Sequence, residues 1–503
     1  MALRVGGLAS GMDIESIVKD LMRAERMPLD KLQQDKQLLE WKQEDYRDIN
    51  QQVFKLRDAV FDMKLQGTFS TKQATSSDES TVQVSAGSNA VAGTYELAVS
   101  NIAKGAFKTS TADTAAYTAG ATLKEQFFAG STDTTAAFTI NDVEFTFDVT
   151  QDSVYDVVNE INSYKDIDGN DLGVTASYDA DLKRFFLMTD ETGVDQQIEV
   201  IDTQNVDGSA LMGDALHINA TVATGQDAQF TLNGASLSKT TNKFTINGVT
   251  YDLKGINDTD ANGSPVATIS ITNDTDAVFD KIKSFVETYN ETLELITDKT
   301  QEKRYRDYRP LTEEQKEDMT DNQIEIWEEK ARSGLLKSDS IVRDIVSDFR
   351  MAMSGIVENI SGEFGSLVEI GISTQNWYEN GKLHIDEADL KEALNKDSQG
   401  VMDLFTNNSE VDNEKGVAVK LYDAVIHSSE LITDKAGRAS SYSLVDNSYI
   451  GKRLSNMSDE INAWEDRLTN VEDRYWRQFT RMEEAINRMN SQSAWLSQQF
   501  GVM

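Results

Sequence analysis

Residues 454–496 read LSNMSDEINAWEDRLTNVEDRYWRQFTRMEEAINRMNSQSAWL, and an apolar side chain returns at every seventh position: Leu454, Ile461, Leu468, Tyr475, Met482, Met489 and Leu496. Met457, Trp464, Val471 and Ala485 supply most of a second row, three residues on from the first. Alternating steps of three and four keep one helical stripe facing a neighbour, which is the a/d seam of a coiled coil. A matching seam lies near the other end of the chain. Leu32, Leu39, Tyr46, Val53 and Val60 form its first row, with Ile49, Leu56 and Met63 in the second. Helices with such seams need partners. Two of them at opposite ends predict that the termini come together and that the rest of the chain is an excursion between them. That geometry points to an assembly protein rather than an enzyme.

Charge divides the chain at the same places. The total is −37 over 503 residues, yet residues 1–66 carry a net −1 and residues 439–503 a net −2, so −34 falls in the middle. An acidic middle argues against nucleic acid or an anionic membrane as partner and favours a solvated, self-repelling exterior. The near-neutral ends can pack without that repulsion. Hydrophobic residues make up 39% of the chain, enough for real cores, and the length suits about three domains. Cysteine is absent, which excludes disulfides, thiol catalysis and Cys-ligated zinc. No apolar run is long enough for a transmembrane helix, and the opening residues have no signal-peptide stretch. The expectation is a chain that is cytoplasmic or exported by a route that reads no cleavable signal.

Ser10-Gly-Met-Asp13 fits a capping box, with Ile14, Ile17, Val18 and Leu21 on one face behind it. Pro28 is expected to interrupt or kink that helix, and a second runs over 29–65. From Thr68 the pattern changes to alternation, as in Thr81-Val-Gln-Val-Ser85 and Thr94-Tyr-Glu-Leu-Ala-Val-Ser100. Residues 103–137, rich in Ala, Thr, Ser and Gly, read as loop. Phe138-Thr-Ile-Asn-Asp-Val-Glu-Phe-Thr-Phe147 returns as Phe244-Thr-Ile-Asn-Gly-Val-Thr-Tyr-Asp-Leu253, with a shorter copy at Phe230-Thr-Leu-Asn-Gly234. Each is a strand, a tight Asn-Asp or Asn-Gly turn and a strand, so two β-rich modules of one type are expected, the first followed by a helix over 153–163. Helix returns at 276–298, where Val278, Ile282, Phe285, Val286, Tyr289, Leu293 and Ile296 share a face. The charged segment 301–333 reads as an exposed helical insertion packed through Ile324, Ile326 and Trp327. Further helices are predicted over 341–356, 386–394 and 417–426, with a short hairpin pairing Gly371-Ile-Ser with Lys382-Leu-His-Ile385, and a polar hinge at 434–450.

No catalytic constellation emerges. His217, His384 and His427 are scattered, and none has a second histidine at metal-ligand spacing. Asp166-Ile-Asp-Gly-Asn-Asp171 resembles a calcium loop, but its glycine stands fourth and no glutamate stands twelfth, so it reads as an acidic turn. There is no phosphate-binding glycine loop, nucleophile elbow or dinucleotide fingerprint. The expectation is no catalytic residue, no metal and no cofactor. Trp476 and Trp495 fall off the seam and suit a second interface.

Several motifs carry a resemblance. Gly7-Leu-Ala-Ser-Gly-Met-Asp13, Ile17-Val-Lys-Asp-Leu-Met and Glu25-Arg-Met-Pro-Leu-Asp-Lys-Leu32 resemble the N-terminal signature of the flagellar filament-capping family, hook-associated protein 2 (FliD). Gly93-Thr-Tyr-Glu-Leu-Ala-Val, Phe285-Val-Glu-Thr-Tyr-Asn290, Gly381-Lys-Leu-His-Ile-Asp386, Gln478-Phe-Thr, Met489-Asn-Ser-Gln-Ser493 and Leu496-Ser-Gln-Gln499 are similar to later parts of that family, in order. The charged segment 301–333 is longer than in many members. The resemblance implies an extracellular cap at the filament tip, exported through the flagellar type III channel. Its partners would be its own copies in a ring, flagellin and the filament tip, hook–filament junction proteins, and a cytoplasmic export chaperone that binds the C-terminal region. Neither nucleic acid nor membrane insertion is implied.

The expected fold class is α+β multidomain, with terminal coiled-coil helices and a helical-bundle domain flanking β-rich, hairpin-containing domains. Residues 1–40 would form an N-terminal coiled-coil leg and 41–70 a helix packing with the helical-bundle domain. Residues 71–110 would begin a β-rich domain, 111–225 form an outer β-rich domain with one helix, and 226–275 complete the first. Residues 276–433 would be the helical bundle and 434–503 the C-terminal leg. The oligomer and filament interface is expected along the seam residues Leu32, Leu39, Tyr46, Ile49, Val53, Leu56, Val60, Leu454, Ile461, Trp464, Leu468, Val471, Tyr475, Met482, Met489 and Leu496. The rival readings are a filament structural subunit or hook–filament junction protein, and a flagellar adhesin that binds host glycans through its β-rich domains.

Overall fold

The computed structural model describes residues 11–257, 266–438 and 446–500. They divide into a helical unit, residues 1–69 with 275–503, and a β-rich unit, residues 70–274.

The helical unit opens with one helix of 51 residues, Ile14–Lys64. The Asp13 carboxylate caps it by accepting the Ser16 amide at 3.0 Å; Ser10, the other half of the expected capping box, lies outside the described residues. The break expected at Pro28 does not occur, and the helix runs through it. Proline removes the hydrogen bond to the carbonyl four residues back. Here Ala24 and Pro28 are both exposed, so water can serve the orphaned carbonyl, while Leu29 beside it is buried.

The second half of this helix is core. Tyr46, Ile49, Val53, Leu56, Val60 and Met63 are buried together with one face of helix Thr275–Gln301, with Val342, Ile345 and Phe349 of helix Ser340–Ser354, and with Leu421, Val425 and Ile432 of helix Val417–Ala436. Each such side chain removed from water contributes about 1.5–3 kcal/mol. Asp386 caps helix Glu387–Lys396 by accepting the Ala388 and Asp389 amides. The predicted short hairpin forms between Ile372–Ser373 and His384–Ile385. Helix Ser398–Thr406, capped by Asp397, was not expected from the sequence. The chain ends in helix Tyr449–Phe500, of 52 residues.

The segment expected as an exposed insertion contains two helices, Glu313–Glu317 and Asp321–Arg332. Trp327 packs as expected, its ring 4.6 Å from that of Tyr308 and its indole N–H donating to the Arg309 carbonyl at 2.8 Å. Ile326 does not pack. It lies about 100° round the helix from Trp327 and is exposed.

In the β-rich unit, strands Lys72–Ser76, Ala267–Asn273, Gly93–Asn101, Ala228–Leu232 and Ala235–Lys239 form one antiparallel sheet in that order. A second sheet, Lys243–Ile246, Val249–Leu253 and Val82–Ala86, shares a core with it, and Phe230 of the first stacks on Phe244 of the second at 4.7 Å. Residues between these strands build a separate core from Thr135–Ile140, Val143–Asp148, Val174–Asp179 and Arg184–Thr189, closed by helix Val154–Ser163. The three echoed hairpins turn at Asn141-Asp142, Asn233-Gly234 and Asn247-Gly248, all with positive φ at both positions. That is the type I′ geometry whose twist matches the flanking strands. The stretch 103–137 is more ordered than expected. It holds strand Phe107–Thr109 and helix Leu123–Phe127, because Ala106, Leu123 and Phe128 are drawn into the core.

Candidate functional site: the paired terminal helices

The two long helices run antiparallel. At one end Gln43 donates to the Ala436 carbonyl and to the Asp446 carboxylate, both at 2.9 Å, and Arg47 pairs with Asp446 at 2.9 Å. Far along the chain, the Tyr475 hydroxyl lies 3.0 Å from the Glu25 carboxylate. As one residue number falls the other rises. Gly437 and Gly451 leave room for Asp446, whose carboxyl group an added Cβ at either position would crowd. Burial pushes that carboxyl up, but bonds from Ser448, the Arg47 charge and the Gln43 amide outweigh it and hold it below the usual range.

The expected seam residues do not share one environment. Tyr46, Ile49, Val53, Leu56 and Val60 are closed inside the chain's own core and leave no surface for another copy. Leu39 and Leu454 pack on the edge of that core. Met457, Leu468 and Val471 are buried, and Leu32, Ile461, Trp464, Tyr475 and Met482 are half-buried. Beyond them the stripe runs into solvent: Met489 is 66% exposed and Leu496 46%, and the off-seam Trp495 beside them is 58% exposed. On the other helix Met27 is 66% exposed, and Leu21 is exposed as well. The site is therefore a graded seam, sealed at its base and open at its far end. Trp476, off the seam, is half-buried and donates to the Glu472 carboxylate at 3.2 Å.

This geometry has counterparts. The sequence matches the family model of the flagellar hook-associated protein 2 N-terminus over residues 10–106, and that of its C-terminus over residues 225–491. Flagellar hook-associated protein 2 of Halalkalibacterium halodurans is 31% identical, over 99% of this chain and 100% of that protein. The chain belongs to the flagellar hook-associated protein 2 family. It is a flagellar filament cap protein, and it has the fold of that family: a crystal structure of the flagellar cap protein FliD D1-D2-D3 domains from Escherichia coli covers 82% of this chain and 99% of its own with a TM-score of 0.53, at 20% identity. A second member, from Thermotoga maritima, is 29% identical over 78% of this chain and 59% of that protein. The family places the chain in the flagellum.

In this hook-associated protein 2 chain the charged segment does what heptad reading could not foresee. It straps along the N-terminal helix through ion pairs that cross in both senses. Arg23 pairs with Glu314, Asp35 with Arg309, and Glu44 and Asp45 with Arg332 (3.1 and 3.5 Å); flanking the segment, Lys42 pairs with Asp339 (3.0 Å) and Asp45 with Lys299 (2.6 Å). Gln34 donates to the Pro310 carbonyl at 2.7 Å. The Arg23 guanidinium also holds the Glu314 carboxyl below its usual range. Most of these pairs are exposed and weak singly. Asp45 is the exception, with a side chain only 2% exposed. The signal was present in the off-seam positions of the helix, where both charge signs alternate opposite a segment rich in both.

Among the described residues, no group of three or more His, Asp or Glu is placed to hold a metal, and no helix is long and apolar enough to cross a membrane. The acidic turn is closed on itself, with the Asp166 carboxylate accepting the Asp168 and Asn170 amides at 2.8 Å.

Proposed function

We propose that the paired terminal helices are the attachment device of this cap protein, working mechanically rather than by catalysis. The sealed base fixes the pair to the helical unit, and the open far end completes its seam against neighbouring copies and the filament end. The observation that carries this is that Met489 and Leu496, which continue a buried seam, are left in water by their own chain, with the off-seam Trp495 exposed beside them. Such a patch on one long helix costs solubility unless a partner covers it. In this reading residues 1–40 and 434–503 act as legs, and the cap retains and guides flagellin at the tip. The chain leaves the cell through the flagellar export channel, held beforehand by a chaperone on its C-terminal region, and later meets hook–filament junction proteins.

Deleting residues 454–503 should abolish filament growth and release monomeric flagellin into the medium. Trp495→Asp combined with Leu496→Asp should do the same while leaving the thermal unfolding of the isolated chain unchanged, since both sites are exposed. Normal filaments from the double variant would overturn the proposal.

A further inference from the structure

Two family motifs are left without a role by the helix pair, and they meet. Phe285-Val-Glu-Thr-Tyr-Asn290 and Gly381-Lys-Leu-His-Ile-Asp386 border one cleft of about 630 Å³ in the helical unit. Part of each motif is structural. Asn290 clamps the Leu383 backbone, donating to its carbonyl and accepting its amide at 2.8 Å each. Gly381 has a φ of 94° and lies so close to the stem of Arg350 that an added Cβ would fall 2.7 Å from its Cγ. The loop thus leaves space for that arginine to lie across it.

The remaining features include polar groups that packing does not explain. Tyr289 is wholly buried in the wall of the cleft, and its hydroxyl has no hydrogen-bond partner among the described residues. Phenylalanine would fill the same core without stranding a polar atom, and stranded buried polar groups are rare in folded proteins. Arg350 is exposed and lies near enough to act on that hydroxyl, drawing down an acidity constant that burial raises. It is the single charged residue among the described lining; neither a carboxylate nor a second cation joins it. In a chain of net charge −37 an arginine with no ion-pair partner among the described residues is conspicuous in such a wall. The run from Ile372 to Gln375 also borders the space, and strand Ile372–Ser373 pairs with His384–Ile385 and with no second strand among the described residues. Met351 and Val368 at the rim are 62% and 68% exposed.

We infer that this cleft binds an extended peptide segment of a partner protein that carries a carboxylate, which Arg350 pairs and the Tyr289 hydroxyl hydrogen-bonds. One cation suits a monoanion, and the planar guanidinium matches a carboxylate in two parallel bonds. The exposed residues Thr374 and Gln375, which continue strand Ile372–Ser373 along the cleft, offer main-chain groups for pairing, the usual way an extended segment adds to a sheet. The apolar rim takes the side chains flanking the acid. The volume falls in the range of ligand clefts.

The test uses the full chain and a fluorescein-labelled hexapeptide of alternating valine and threonine with one central aspartate. Fluorescence polarisation should show saturable binding, weakened about tenfold by Arg350→Gln and by asparagine in place of the peptide's aspartate. Tyr289→Phe should weaken it about threefold or more. Both variants should keep the wild-type melting temperature. An N-methylated peptide backbone should abolish binding. The inference is overturned if the peptide does not bind, if both variants bind it as wild type does, or if inorganic phosphate or free glutarate displaces it at concentrations equal to those of unlabelled peptide.

Discussion

The base and the far end of the helix pair carry the same seven-residue spacing and end in opposite environments. At the base, Tyr46, Val53 and Val60 lie in one core with helices Thr275–Gln301 and Val417–Ala436, and they vanish from the surface. At the far end, Met489 and Leu496 continue the C-terminal row with nothing over them among the described residues. A heptad states that a helix wants a neighbour; it does not state how many, or from which chain. The neighbour count is set by elements elsewhere in the sequence, here the bundle at one end and the strap of residues 301–333 along the middle.

The largest contrast should come from truncating one buried and one exposed seam. Leu56→Ala empties a site closed on all sides and should cost about 2–5 kcal/mol in urea unfolding followed by circular dichroism; an unchanged midpoint would show that the base is not sealed. A pH series sharpens the boundary between the two regions. Asp446 is held below the unfolded carboxyl value of about 3.9, so its contribution is complete above that pH and disappears as the pH falls through the folded value. Asp446→Asn should therefore melt lower than wild type near neutral pH, with the gap closing in strong acid; a gap that persists there would mean the carboxylate charge is irrelevant. The smallest effect belongs to Met489→Ala with Leu496→Ala, expected to shift the stability of the isolated chain by less than about 0.5 kcal/mol. A shift of several times that size would place those side chains in a core.

What could be read from the sequence was whatever is local and periodic. The faces of helices Thr275–Gln301 and Ser340–Ser354 and the three Asn turns of the hairpins follow from spacing and from the φ a turn demands. The partners of those elements did not. Strand Gly93–Asn101 lies between Ala267–Asn273 and Ala228–Leu232, partners more than a hundred residues away, and alternation names no register at that range. Pro28 leaves the helix whole, against the expectation from sequence, because its local penalty falls on an exposed face. The ion pairs of the strap have no such signal, because charge has no period: Asp35 and Arg309 form a pair only once the chain brings them together. For the candidate site the rows of apolar residues were legible, and the locking residues Gln43, Arg47 and Asp446 were not.

The pairing of Lys72 with Asn273 has a consequence for the order of folding. The first strand of the β-rich unit and its last are direct neighbours, and the Asp274 amide bonds the Thr71 carbonyl at 2.9 Å. Until that clasp closes, helix Ile14–Lys64 can find helix Thr275–Gln301 only across a loop of some two hundred residues. Once it closes, a few residues span the gap, and the loop-closure entropy opposing the helical core falls by roughly 3 kcal/mol. The β-rich unit thereby acts as a template that shortens the search of the helices on either side of it.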